Sequence, residues 1–93
     1  MVKRKFIKSS IPKLPANKPI TYSLETAGGQ VNYIGVAKRG RVRHRLIEHL
    51  SSGADSIPAK TVTIKQFPSI EKAKAAEKRA IKKKQPKYNT QNR

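Results

Sequence analysis

The sequence contains no cysteine and no tryptophan, and only 5 of its 93 residues are acidic. Without cysteine there is no disulfide staple, no zinc–thiolate site and no cysteine nucleophile. Aromatic residues make up 5% of the chain and hydrophobic residues 35%, so any core must be thin. No apolar run approaches the roughly 18–20 residues that a membrane span requires. The opening stretch, MVKRKFIKSS, is basic but lacks the apolar segment of a secretory signal. These absences predict no membrane partner and an intracellular, cytoplasmic protein, nucleoid-associated if bacterial. The length leaves room for one small domain.

What the chain has in abundance is positive charge. It carries 22 lysines and arginines, for a formal net charge of +17. Apart from Lys60 and Lys65, all of them fall within residues 1–18, 36–50 and 71–93. Such a domain is expected to meet a polyanion, with nucleic acid the default partner. The first block holds Lys3, Arg4, Lys5, Lys8, Lys13 and Lys18, no acidic residue, and Pro12 and Pro15. Residues 1–17 therefore read as a flexible basic arm whose removal would leave the domain folded. The domain itself is expected over residues 18–89, with a short tail over 90–93.

The middle of the chain shows regular patterning. Ile20-Thr21-Tyr22-Ser23-Leu24 alternates apolar and polar, as a half-buried strand does. Ala27-Gly28-Gly29 supplies a turn, and Val31-Asn32-Tyr33-Ile34 resumes the alternation, predicting a hairpin. From Arg41 to Leu50 the period becomes helical, with Gly53 as the stop. Thr61 to Phe67, rich in β-branched residues, predicts a third strand. Ser69 then caps a second helix with Glu71 in its first turn, running to about Lys83 before Pro86. The expected architecture is α+β: a three-stranded, mostly antiparallel sheet flanked by helices, in the order β-β-α-β-α.

Two placements on these helices stand out. At 100° per residue, Glu77 falls at about 340°, between Ala73 at about 300° and Ile81 at about 20°. A carboxylate on an apolar stripe is costly unless it is paired or binds a metal. A structural salt bridge to one of the many nearby cations explains it equally well. On the first helix, Arg45 and His49 are one turn apart and share a face with Val42 and Leu46. His44 fits a surface role and is given none.

At these residues the sequence resembles the GIY-YIG nuclease superfamily. Tyr33-Ile34-Gly35 reproduces the second signature, and Tyr22, in Pro19-Ile20-Thr21-Tyr22, matches the tyrosine of the first. Ile20 stands where that signature has glycine. Arg45 matches the helical arginine, with His49 four residues on. Arg43 is a second candidate, but no histidine follows it by one turn. Glu77 stands at the metal-binding glutamate, and Gln85-Pro86-Lys87-Tyr88-Asn89 resembles the closing motif with its asparagine.

The resemblance implies hydrolysis of DNA phosphodiester bonds by water with one divalent cation, Mg²⁺ or Mn²⁺, held by Glu77. RNA is not excluded as substrate. Catalytic roles would then fall to Tyr22, Tyr33, Arg45, His49, Glu77 and Asn89. Arg45 offers a planar donor fork suited to phosphate. Tyr22, Tyr33 and His49 are candidates to activate or orient the water, and Asn89 to hold other groups through its amide. Lys38, Arg39, Arg41 and Arg43 form a basic loop suited to phosphate contacts. No base-reading motif is visible, so little sequence specificity is expected. The alternative is a non-catalytic nucleic-acid-binding protein that keeps the fold. A third reading is a ribosome-associated or RNA-packaging protein. The oligomeric state is left open.

Overall fold

Ile20, Tyr22 and Leu24 are fully buried while the alternate residues Thr21, Ser23 and Glu25 are not, which makes β2 (Ile20–Glu25) a strand with one core face. The computed structural model describes residues 2–15, 17–50, 57–86, 88 and 89. β2 turns at Gly28 and Gly29 into β3 (Val31–Ala37), three residues longer than the alternation predicts. Gly29 needs its left-handed φ of 90° there, where its N–H donates to the Thr26 carbonyl at 3.0 Å. β4 (Thr61–Gln66) pairs with the other side of β2, so Tyr22 lies between Gly35 and Ile64.

The sheet has four strands, not three. β1 (Val2–Lys5) pairs antiparallel with β4, giving the order β1-β4-β2-β3. The segment expected as a free arm thus supplies an edge strand. Behind it, the Phe6 N–H donates to the Lys60 carbonyl at 2.9 Å, and a 3-10 turn (Ile11–Lys13) follows. Phe6, Ile11 and Leu14 are buried in the main core. The charge density of this stretch misleads because an edge strand needs backbone pairing and tolerates lysine and arginine side chains in solvent.

α1 (Val42–Leu50) closes the core over the sheet with Val42 and Leu46. The predicted stop at Gly53 lies outside the described residues, as does the predicted tail. α2 (Ile70–Lys84) packs on β3 and β2, burying Ala73. Its start is as predicted: the Ser69 Oγ accepts from the Lys72 N–H at 3.3 Å. It ends where Gln85 takes a left-handed φ of 46° and its N–H donates to the Ile81 carbonyl at 2.8 Å. Among the described residues, no helix is long and apolar enough to cross a membrane.

Candidate active site

Antiparallel pairing places Tyr22 directly opposite Gly35, and Tyr33 opposite Leu24, so both phenols rise from the core face of the sheet. The Tyr22 ring lies over Gly35, where an added Cβ would collide with its Cζ and Oη. The glycine of the Tyr-Ile-Gly signature is therefore required by that close approach. Ile20 is fully buried among the core residues. Its side chain supplies core volume that glycine would not.

α1 brings His49 onto the two tyrosines. The Tyr22 hydroxyl and His49 Nε2 are 2.8 Å apart in a buried hydrogen bond. The hydroxyl donates when Nε2 is bare and accepts when Nε2 carries the proton. The Tyr33 ring centroid is 4.7 Å from that of His49, and the tyrosine rings are 6.1 Å apart. Tyr22 is wholly enclosed, whereas Tyr33 is half-buried and is the phenol that reaches solvent.

Charge around this cluster is arranged by Arg45 and Glu77. Burial pushes Tyr22 well above the usual phenol value, with Tyr33 adding to the rise and Arg45 only partly offsetting it. Burial raises Tyr33 too, again opposed by Arg45. Burial disfavours the Arg45 cation, but the phenols and Glu48 outweigh it and lift its pKa. Arg45 Nη1 donates to Glu48 Oε1 at 3.1 Å. Burial raises the Glu77 carboxyl above the ordinary range, with Lys74 and Arg45 pulling it partly back. Among the described residues, no hydrogen bond or ion pair within 4.0 Å holds the Glu77 carboxylate.

Two clefts meet at this place. One of about 280 Å³ is lined by Val36, Ala37, Lys38, Arg41 and Arg45. The other, of about 670 Å³, runs along α2 and is lined by Val36, Glu77 and Ile81 with lysines of the same helix. Val36 belongs to both. Sequence alone does not single out Val36, because its alternation with Ile34 reads as plain strand packing.

The remaining predicted residues sit differently. Asn89 does not enter the ring cluster. Its Oδ1 accepts from the Ile34 N–H at 2.8 Å and its Nδ2 donates to the Ile34 carbonyl at 2.9 Å. Just before it, the Tyr88 N–H donates to the Asn32 carbonyl at 2.9 Å. Lys38 and Arg41 line the smaller cleft, and Arg39 is exposed nearby. Arg43 leaves this group: its Nη2 donates to the Pro12 carbonyl at 2.9 Å, tying α1 to the 3-10 turn.

The architecture is shared with known domains. The structure matches the N-terminal endonuclease domain of UvrC from Thermotoga maritima, a GIY-YIG domain solved with its catalytic divalent cation, magnesium. The TM-score is 0.65 at 26% identity, over 88% of this chain and 98% of that one. The chain has the GIY-YIG fold. An asparagine-to-alanine mutant of the same UvrC domain, also cation-bound, matches with TM-score 0.64 at 26% identity, over 88% of this chain and 97% of that one. A tyrosine-to-phenylalanine mutant gives 0.64 at 25% identity, over 88% and 98%. No protein-family model matches the chain, and no curated protein matches it by sequence. The fold thus bears out the GIY-YIG resemblance and supports a nuclease-type function in general terms. Among the described residues, no group of three acidic, histidine or cysteine side chains is assembled to hold a metal.

Proposed function

We propose that this GIY-YIG domain is a divalent-metal-dependent endonuclease that hydrolyses DNA phosphodiester bonds with little sequence specificity. One observation carries the reading. In a chain of net charge +17, the half-buried Glu77 carboxylate has no direct partner among the described residues. A structural carboxylate in such a chain would be expected to find a cation within bonding distance. This one is left open in a cleft that faces Arg45 across Val36.

The donor set fits magnesium or manganese. A hard cation that keeps several waters needs only one or two carboxylates, with substrate phosphate completing its shell. Glu77 alone would therefore hold it, consistent with the lack of a preassembled cluster among the described residues. Bound there, the cation supplies Lewis acidity toward water and phosphate. The chain's own groups do the rest. Arg45 directs its donor fork at the phosphate oxygens where charge builds in the transition state. Both phenols remain protonated near neutral pH, so they orient through hydrogen bonds. Tyr33 faces the substrate, and Tyr22 fixes the His49 ring beneath it. Asn89 positions Tyr33 and Gly35 indirectly, by holding the backbone of Ile34 between them. The magnesium-bound UvrC domain supports the same assignment by its likeness of fold.

The direct test is incubation of the purified protein with supercoiled plasmid in Mg²⁺, in Mn²⁺ and in chelator. Nicking or linearisation is expected with either metal and none with chelator. Binding without cutting under all three conditions would establish the non-catalytic reading instead.

The two arginines of α1 separate by kinetics. Arg45→Ala is expected to lower the single-turnover rate by about a hundredfold or more, as loss of a transition-state donor does. Arg43→Ala is expected to leave the rate at saturating protein within a few-fold, because its guanidinium is engaged at Pro12. A reversed order would make Arg43 the phosphate ligand.

A further inference from the structure

The cleft along α2 has a feature that the chemistry of bond breaking does not use. Its lining includes Lys74, Lys78 and Lys82. They are four residues apart, so they form one row along the helix with about 6 Å of axial rise per step. That interval is close to the separation of successive phosphates along one nucleic-acid strand. All three side chains are exposed, and none has a carboxylate within 4.0 Å among the described residues. Several other cations are already engaged. Lys3 is 3.6 Å from Glu25, Arg45 is on Glu48, Arg43 is on Pro12, and Lys65 lies over the Phe67 ring.

The floor of the cleft suits the same ligand. Val36 and Ile81 are its apolar lining residues, alongside the three lysines. An apolar floor with cationic rims takes the sugar faces of a backbone below and its phosphates at the sides. At Val36 this cleft joins the one that holds Lys38, Arg41 and Arg45. A strand leaving Arg45 therefore has a continuous path past Glu77 and onto α2.

We propose that Lys74, Lys78 and Lys82 bind three successive phosphates of the strand being cut, on one side of the scissile bond. Lys38 and Arg41 hold the strand on the other side, so the backbone crosses β3 over Val36. This inference rests on the nuclease reading and adds the track and direction of the substrate. It also explains why affinity here would be insensitive to sequence: every one of these cations meets the sugar-phosphate backbone.

Counterion release tests it without any cutting. Binding of a short, fluorescently labelled DNA duplex is measured by anisotropy in chelator over a range of salt concentrations. Changing Lys74, Lys78 and Lys82 together to Gln is expected to flatten the slope of log affinity against log salt by about 2 to 3, at about 0.9 for each phosphate no longer neutralised. Changing all three to Arg keeps the charges and should keep the wild-type slope. Lys60→Gln with Lys65→Gln, away from the clefts, should also leave the slope unchanged. All the changes are at exposed positions, and a melting curve for each variant checks its fold. An unaltered slope in the Gln variant overturns the track, as does an equal loss in the Lys60 and Lys65 control. Because no cleavage is read, a protein that binds but never cuts would defeat the nuclease proposal and leave this measurement standing.

Discussion

Glu77→Gln is expected to abolish metal-dependent cleavage, a loss of about a thousandfold or more in single-turnover rate, while leaving DNA binding nearly intact. The substitution preserves volume and removes the Glu77 carboxylate that lines the cleft. Stability is expected to move the other way. Burial raises the Glu77 carboxyl, so its folded-state pKa lies above its unfolded value. Stability from such a group is present below the unfolded pKa and is lost as pH rises through the folded one. Glutamine escapes that loss, since it resembles the protonated acid at every pH. Melting temperatures of the two proteins should therefore nearly coincide at about pH 3, below the carboxylate range, with the variant higher at about pH 7. A purely structural Glu77 would give the reverse pair of results, with cutting retained and stability at neutral pH reduced.

Deleting residues 1–17 is expected to unfold the domain. The deletion removes β1 and exposes the β4 edge, and it takes Phe6, Ile11 and Leu14 out of the core. Burying a large apolar side chain contributes about 1.5–3 kcal/mol, so three of them contribute on the order of 5–9 kcal/mol. The whole stability of a small domain is about 5–15 kcal/mol. Circular dichroism of the truncated chain should show the loss of a cooperative thermal transition. Phe6→Ala in the full chain offers a graded version, costing about 3–5 kcal/mol. A truncated protein that still melts cooperatively near the wild-type temperature would restore the free-arm description.

Much of this architecture is legible in the sequence, and the exceptions have physical causes. The β2–β3 hairpin, α1, β4 and α2 announce themselves because each carries a periodic apolar face onto a partner. Val2-Lys3-Arg4-Lys5 carries a single apolar side chain, and its stability comes from ladder hydrogen bonds that composition does not display. The prolines that suggest an unfolded arm have another use, since Pro12 sits in the 3-10 turn that carries Ile11 into the core. Within the site, the spacing of Arg45 and His49 follows from helical geometry alone. The bond from His49 to Tyr22 spans 27 positions and depends on how α1 docks, which periodicity does not specify. Arg43 is a similar case: its partner Pro12 lies in the segment that the sequence leaves unstructured.

Asn89 has a consequence for how copies of the protein meet one another. A sheet edge is a row of unpaired donors and acceptors, and chains crowded along a polyanion bring such edges close together. On β3, the Asn89 amide occupies both the N–H and the carbonyl of Ile34, and the Tyr88 N–H occupies the carbonyl of Asn32. A side-chain amide thus stands in for the peptide group of an incoming strand. The opposite edge, β1, is guarded by Lys3, Arg4 and Lys5, whose like charges repel a second copy of themselves. Both borders of the sheet therefore resist strand-to-strand assembly. A domain dense in cations can gather on nucleic acid at high local concentration without its sheets joining into fibres.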